Sequence, residues 1–151
     1  MEEKMHSMKP YHLLLMAGMH FIAMYFLMYA MVNQFSNVVP NLNNFYMAGL
    51  MTAPMLIIEG LMMRSMYENK KILNFIMGAS VVILLACFFF IRQQTLISDK
   101  EFLKSMIPHH AGAILMCEKT NLQDPEIKEL CKNIISSQQK EIDWMKEKLN
   151  K

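Results

Sequence analysis

The sequence lacks the marks of an enzyme. It contains no Cys-x-x-Cys pair, no phosphate-binding glycine loop and no catalytic triad, and its three cysteines, Cys87, Cys117 and Cys131, form no zinc pattern. No basic patch is interleaved with aromatics, and a net charge of +2 gives no reason to expect nucleic acid as a partner. The stretch from Asn33 to Phe45 carries no charge at all. No internal repeat is evident either. The first apolar run is longer than the ~7–15-residue core of a signal peptide and has no small-residue cleavage site. It is therefore expected to remain in the mature protein.

What is present is apolar residue and methionine. Hydrophobic residues make up 54% of the 151, and they gather in three runs, 11–32, 46–63 and 72–91. Each approaches the ~20 residues that a helix needs to cross a hydrocarbon layer of about 30 Å. The reading is an all-α protein with a membrane domain of three transmembrane helices over 1–91. Lys4 and Lys9 precede the first run, no charge follows it, and Arg64, Lys70 and Lys71 lie between the second and third. This alternation places the N-terminus in the cytoplasm and the chain beyond Arg92 outside it.

Residues 92–151 read as soluble helix. Ser98 with Glu101 is a capping-box signature, and a face of Phe102, Met106, His110, Ala113, Ile114 and Cys117 follows. Asp124 caps a second helix with Pro125 at its first position, which buries Ile127, Leu130, Cys131, Ile134, Gln138, Ile142, Met145 and Leu149. The product is an antiparallel helical hairpin. It is too small to bury a core alone, so it is expected to pack on a second copy, on the rest of the protein or around a metal. Folding it about Leu122 sets Met106 and His110 opposite Gln138, Glu141 and Met145. Pro108, which has no amide proton, places a kink or break just before His109 and His110. An adjacent His-His pair by itself suits one surface and one core histidine. Thioether and imidazole together are soft donors that favour copper(I) or silver(I) over magnesium, calcium or manganese.

The motifs MIPHHAGAILM, DPEIKELCKNII and QQKEIDWM, within Asp99 to Leu149, resemble the domain of unknown function 305 family, a ferritin-like helical family with copper-binding periplasmic members. NLNNFYMAGLMTAPM upstream resembles its membrane-anchored bacterial members. The resemblance implies copper handling on the outer side of the bacterial inner membrane. Met106, His109, His110, Met116 and Met145 are its candidate ligands, with Gln138 and Glu141 supporting them or pairing the helices. Cys117 and Cys131 stand where small residues are expected. Helix axes packed ~8–10 Å apart favour buried free thiols there, with a disulfide or copper ligation as alternatives.

Inside the membrane runs, Met5, Met8, His12, Met16 and Met19 share an arc of about 80°, as do Met51, Met55, Glu59, Met62 and Met66, at ~100° per residue. Methionine is a common gap-filler between helices. Ionisable groups at membrane depth are costly, however, so His12, His20 and Glu59 are functional candidates.

The expected function is a membrane-anchored copper(I)-binding protein that captures or buffers the metal, with copper and lipid as partners and a homo-oligomer as the assembly. The alternatives are a copper transporter using the methionine face and a structural or partner-binding membrane protein. A reporter active only outside the cytoplasm, fused after Lys151, should be active. Activity of a cytoplasm-only reporter at the same place would reverse the topology.

Overall fold

The computed structural model describes Lys9 and residues 11–151, so Met5 and Met8 lie outside the described residues. It contains five α-helices: α1 (Tyr11–Leu27), α2 (Leu42–Met62), α3 (Lys70–Gln93), α4 (Asp99–Lys119) and α5 (Pro125–Leu149). There is no β-strand among the described residues. Single 3-10 turns occupy Met28–Met31, Phe35–Asn37 and Arg64–Met66.

The chain divides into two compact units. One contains the chain up to Phe26 together with Phe45–Thr95, the other Leu27–Asn44 together with Leu96–Lys151. This differs from a simple cut at Arg92, because the first interhelix connection belongs with the C-terminal hairpin.

In the first unit, Tyr11–Met31, Leu42–Met62 and Lys70–Gln93 are each long and apolar enough to cross a membrane. The central one is α2: 39% of its most apolar stretch is buried, against 11% and 17% for the other two. Its buried side is small, with Ala48, Gly49, Thr52, Ala53 and Gly60 around Leu56. A Cβ on Gly49 would lie 2.9 Å from the Cys87 sulfur, and one on Gly60 would lie 2.9 Å from Met77. Small residues that let backbones approach are how helices pack where no hydrophobic drive exists between them. Leu13, Leu56, Tyr67, Leu73 and Ile76 form the core beside these contacts. Leu15, Ile22, Phe26, Phe75, Val82 and Phe89 point outward and are exposed.

Two boundaries differ from the hydropathy reading. Helix α2 starts at Leu42 rather than Tyr46, since the Asn41 side chain caps it by accepting from the Asn44 amide at 2.9 Å. Helix α4 runs unbroken through Pro108. The lost amide costs one hydrogen bond, and the packing of the surrounding turns holds the helix together.

In the second unit α4 and α5 form the expected hairpin. Ser98 accepts from the Glu101 amide at 3.4 Å, and Asp124 accepts from the Glu126 and Ile127 amides. The core joins Ile107, Ala111 and Ile114 to Ile142 and Met145, with Val32 and Val39 of the first connection packed against them. The connection thus supplies the extra apolar cover that two helices alone lack. Its shape is held by polar bonds: Tyr29 donates to the Val39 carbonyl at 3.0 Å, Asn37 to Asn33 at 2.8 Å and Asn41 to the Val39 carbonyl at 3.0 Å. Three crossings return a chain to the side of its first connection, so this packing is compatible with three spans. The front of α5 is less buried than its periodicity suggests, with Ile127 and Leu130 exposed, because the connection covers only the far end of the hairpin.

Glu101 completes half a capping box and does more besides. Instead of reaching back to Ser98, its carboxylate accepts from Lys104 at 2.8 Å and from the Leu42 amide at 3.0 Å. The Lys104 hydrogen bond, aided by the Leu42 amide, holds its pKa below the ordinary carboxylate value against an opposing effect of burial. A depressed folded pKa contributes stability that is complete above the unfolded value, about 4.3, and is lost as pH falls through the folded one. Protection of the Leu42 amide from hydrogen exchange, corrected for intrinsic rate, should therefore fall on acidification. In Glu101→Ala it should be low throughout and flat with pH; an unaltered profile would show that the contact carries no stability.

Candidate metal centre

Neighbouring residues on a helix point ~100° apart, so His109 and His110 cannot share one partner. His110 faces α5 and is only 7% exposed, while His109 is exposed to solvent. The His110 ring is held at both nitrogens: Nδ1 lies 2.8 Å from the Met106 carbonyl oxygen and Nε2 lies 2.6 Å from Glu141 Oε2. A carbonyl only accepts, so Nδ1 carries a proton and donates it. The Nε2 contact then requires a second proton between imidazole and carboxylate. Without that shared proton, Nε2 presents a lone pair on the side of Glu141. This is the orientation a metal-binding histidine takes when its other nitrogen donates to a carbonyl.

A cavity of about 300 Å³ opens at this point, lined by Phe102, Leu103, Met106, His110, Glu141, Trp144 and Met145. Three of the proposed ligands, Met106, His110 and Met145, therefore meet, and Glu141 joins them in direct contact with the imidazole. One wall is apolar, which limits water, and Glu141 is open to solvent, with 55% of its side chain exposed.

The other proposed ligands lie elsewhere. His109 points outward, and Met116 is 52% exposed at a rise of ~15 Å along α4 from Met106. Gln138, one turn before Glu141 on α5, does not line the cavity. Cys117 and Cys131 are joined in a disulfide with their Cα atoms 5.2 Å apart. This corrects both the expectation of free thiols and the alternative of copper ligation. The two cysteines flank the short turn, where the helices converge, so the separation of fully packed axes does not apply. Among the described residues, no three His, Cys, Asp or Glu side chains gather as a metal cluster. Beside His110 and Glu141, the other donor atoms lining the cavity are the Met106 and Met145 thioethers, which suit soft rather than hard cations.

In the first unit, His20, Met55, Glu59 and Met62 line a second, open cavity of about 390 Å³ together with Ile58 and Met63, with Met62 at its rim, the last residue of α2 and 81% exposed. His12, Met16, Met19 and Met51 stay outside it. The His12 ring packs on Tyr11 at 4.2 Å between centroids, and Met19 and Met51 are exposed.

The sequence reading missed Phe102, Leu103 and Trp144 as cavity walls, and it gave Glu141 only a supporting role. The available signal was spacing, since Glu141, Trp144 and Met145 fall within one turn of each other on α5.

A family described as a domain of unknown function (DUF305) matches residues 92–149. An uncharacterized protein of Acanthamoeba polyphaga mimivirus, L153, is 36% identical over 136 residues, 88% of each chain. The chain belongs to the DUF305 family. Because the similarity to the viral protein runs over 136 residues, it takes in the apolar helices as well as the hairpin. No solved structure matches the chain.

If the His110–Glu141 contact closes the hairpin, Glu141→Leu leaves a buried ring nitrogen without a partner, at a cost of about 1–3 kcal/mol. Glu141→Gln restores a donor to a neutral Nε2 and should cost less. Hydrogen exchange of α4 and α5 amides in the full chain reads the difference. Equal protection in both variants would remove the contact from the hairpin's stability.

Proposed function

We propose that the protein is a membrane-anchored copper(I)-binding protein that captures or buffers the metal on the extracytoplasmic side, as part of copper homeostasis or resistance. The observation that carries this reading is the meeting of the His110 imidazole with the Met106 and Met145 thioethers in one cavity, with Nδ1 already committed to a carbonyl. One imidazole and two thioethers make a soft, low-coordinate set, which suits copper(I) and silver(I), both d10 monovalent cations. The fit needs no thiolate, so an oxidised Cys117–Cys131 pair does not disable it. Neutral methionine also remains a donor in an acidic outside compartment, where free imidazole protonates.

A metal ion taking the His110 Nε2 lone pair would displace the shared proton to solvent, and the Glu141 carboxylate, open to water, would remain nearby as a counter-charge. The proposed role is binding, not catalysis. A bacterial inner-membrane location with the N-terminus inside follows from the charge alternation and the resemblance to membrane-anchored members. A homo-oligomer in which two hairpins complete a four-helix, ferritin-like bundle would cover the exposed Ile127 and Leu130. The rival reading of a transporter is favoured by the second cavity.

Detergent-purified full-length protein, loaded without oxygen, should bind copper(I) in preference to zinc(II). His110→Gln combined with Met145→Leu should abolish binding at the hairpin, whereas His109→Ala should leave it within about twofold. Full hairpin binding in the His110 and Met145 variant, or its loss in the His109 variant, would overturn the assignment.

A further inference from the structure

The cavity of the first unit holds a combination that packing does not explain. Met55, Glu59 and Met62 repeat at steps of four and three residues, so they share one face of α2. His20, near the middle of the Tyr11–Met31 span, approaches them from α1. The small face of α2, with Gly49 and Gly60, is the one in contact with α3. The methionine face is therefore not needed to bring those two helices together. The His20 Nδ1 atom is buried and has no hydrogen-bond partner among the described residues, and the residue lines the cavity. An unpaired imidazole nitrogen in an apolar setting costs on the order of 1–3 kcal/mol, and that cost is recovered if a ligand takes its lone pair.

We propose that His20, Met55, Glu59 and Met62 form a second soft-metal site, which takes a monovalent copper(I) or silver(I) ion between α1 and α2. Charge sets the valence. An uncompensated charge at membrane depth is expensive, and one carboxylate neutralises a monovalent cation but leaves a divalent one with an excess charge. Donor type sets the element, since two thioethers and an imidazole disfavour sodium and potassium, the abundant monovalent ions.

The site is independent of the hairpin cavity and does not rest on the function proposed for it. The test uses silver(I), which is redox-inert, on the full-length protein in detergent, with metal counted per chain after desalting. Wild type should hold two ions. The hairpin variant, His110→Gln with Met145→Leu, should hold one, and adding Met55→Leu with Met62→Leu should leave none. Glu59→Gln, close in shape, should weaken the ion retained by the hairpin variant by about tenfold or more. Size-exclusion elution unchanged from wild type identifies the variants that are folded, and Glu59→Gln serves as the readout if the methionine pair is not among them.

A hairpin variant that holds no silver overturns the membrane site and leaves the hairpin reading intact. A Met55→Leu and Met62→Leu protein that binds as much silver as wild type also overturns it. Zinc(II) held as tightly as silver(I) by the hairpin variant would overturn the monovalent assignment. One ion in wild type, lost with the membrane methionines and kept in the hairpin variant, would support the membrane site and sink the hairpin one.

Discussion

A single buried ring ties the second unit together. His110 spends one nitrogen on the Met106 carbonyl of its own helix and the other on Glu141 of α5, so the ring's rotation is fixed from both sides. The cavity depends on that fixed ring. Were Nδ1 free, the imidazole would turn with the side-chain torsions, and no constant geometry would exist between it and the methionines one turn away on α4 and across on α5. The apolar layer of Ile107, Ala111, Ile114 and Ile142 sets the separation of the helices, and the polar contact sets their register. Burying a polar group is tolerated when its hydrogen bonds are made, and here the residue that needs the most satisfaction is the one a ligand would use.

The first connection supports this arrangement from outside the hairpin. Two helices of this length expose too much of each other's apolar faces to be stable alone. Val32 and Val39 cover part of the core, and the Glu101 carboxylate anchors the connection at the Leu42 amide, where α2 begins. One side chain therefore ends the loop, caps a helix start and steadies the first turns of α4. The loop's asparagines serve as its internal hydrogen-bond donors and acceptors.

Periodicity exposed most of the fold. The three apolar runs, the hairpin, the Ser98 and Asp124 caps and the pairing of the Met106 face with that of Glu141 all follow from local rules: length, capping chemistry and the 3.6-residue turn. What stayed hidden depends on distant parts of the chain. Nothing near Glu101 says that its carboxylate will find Leu42, 59 residues away. The disulfide was misjudged for a related reason, since packed-axis spacing describes the middle of a helix pair, whereas Cys117 and Cys131 sit beside its turn. In the first unit the conspicuous methionines drew attention from Gly49 and Gly60, whose importance lies in what they lack and shows only when α3 is in place. The His-His pair resolved into one surface and one core histidine, a solvent-facing His109 and a buried His110, as the ~100° between adjacent helical residues favours.

The two cavities share a recipe although they belong to different units and different environments: one histidine, one glutamate and two or more methionines. In water-exposed helix pairs, glutamate beside histidine needs no explanation beyond a hydrogen bond. In an apolar span the same pairing is costly, and random drift toward gap-filling methionine would not supply it. The repetition therefore weighs more than either instance alone. A donor set of imidazole and thioether is neutral and binds a soft cation without regard to its surroundings, but the carboxylate matters differently in the two places. At the hairpin it is solvent-facing, so water and salt share the work of balancing charge. In the first unit Glu59 is the one carboxylate among the described cavity walls, so on the proposed reading that cavity would be the more selective of the two for charge and the hairpin cavity the more forgiving.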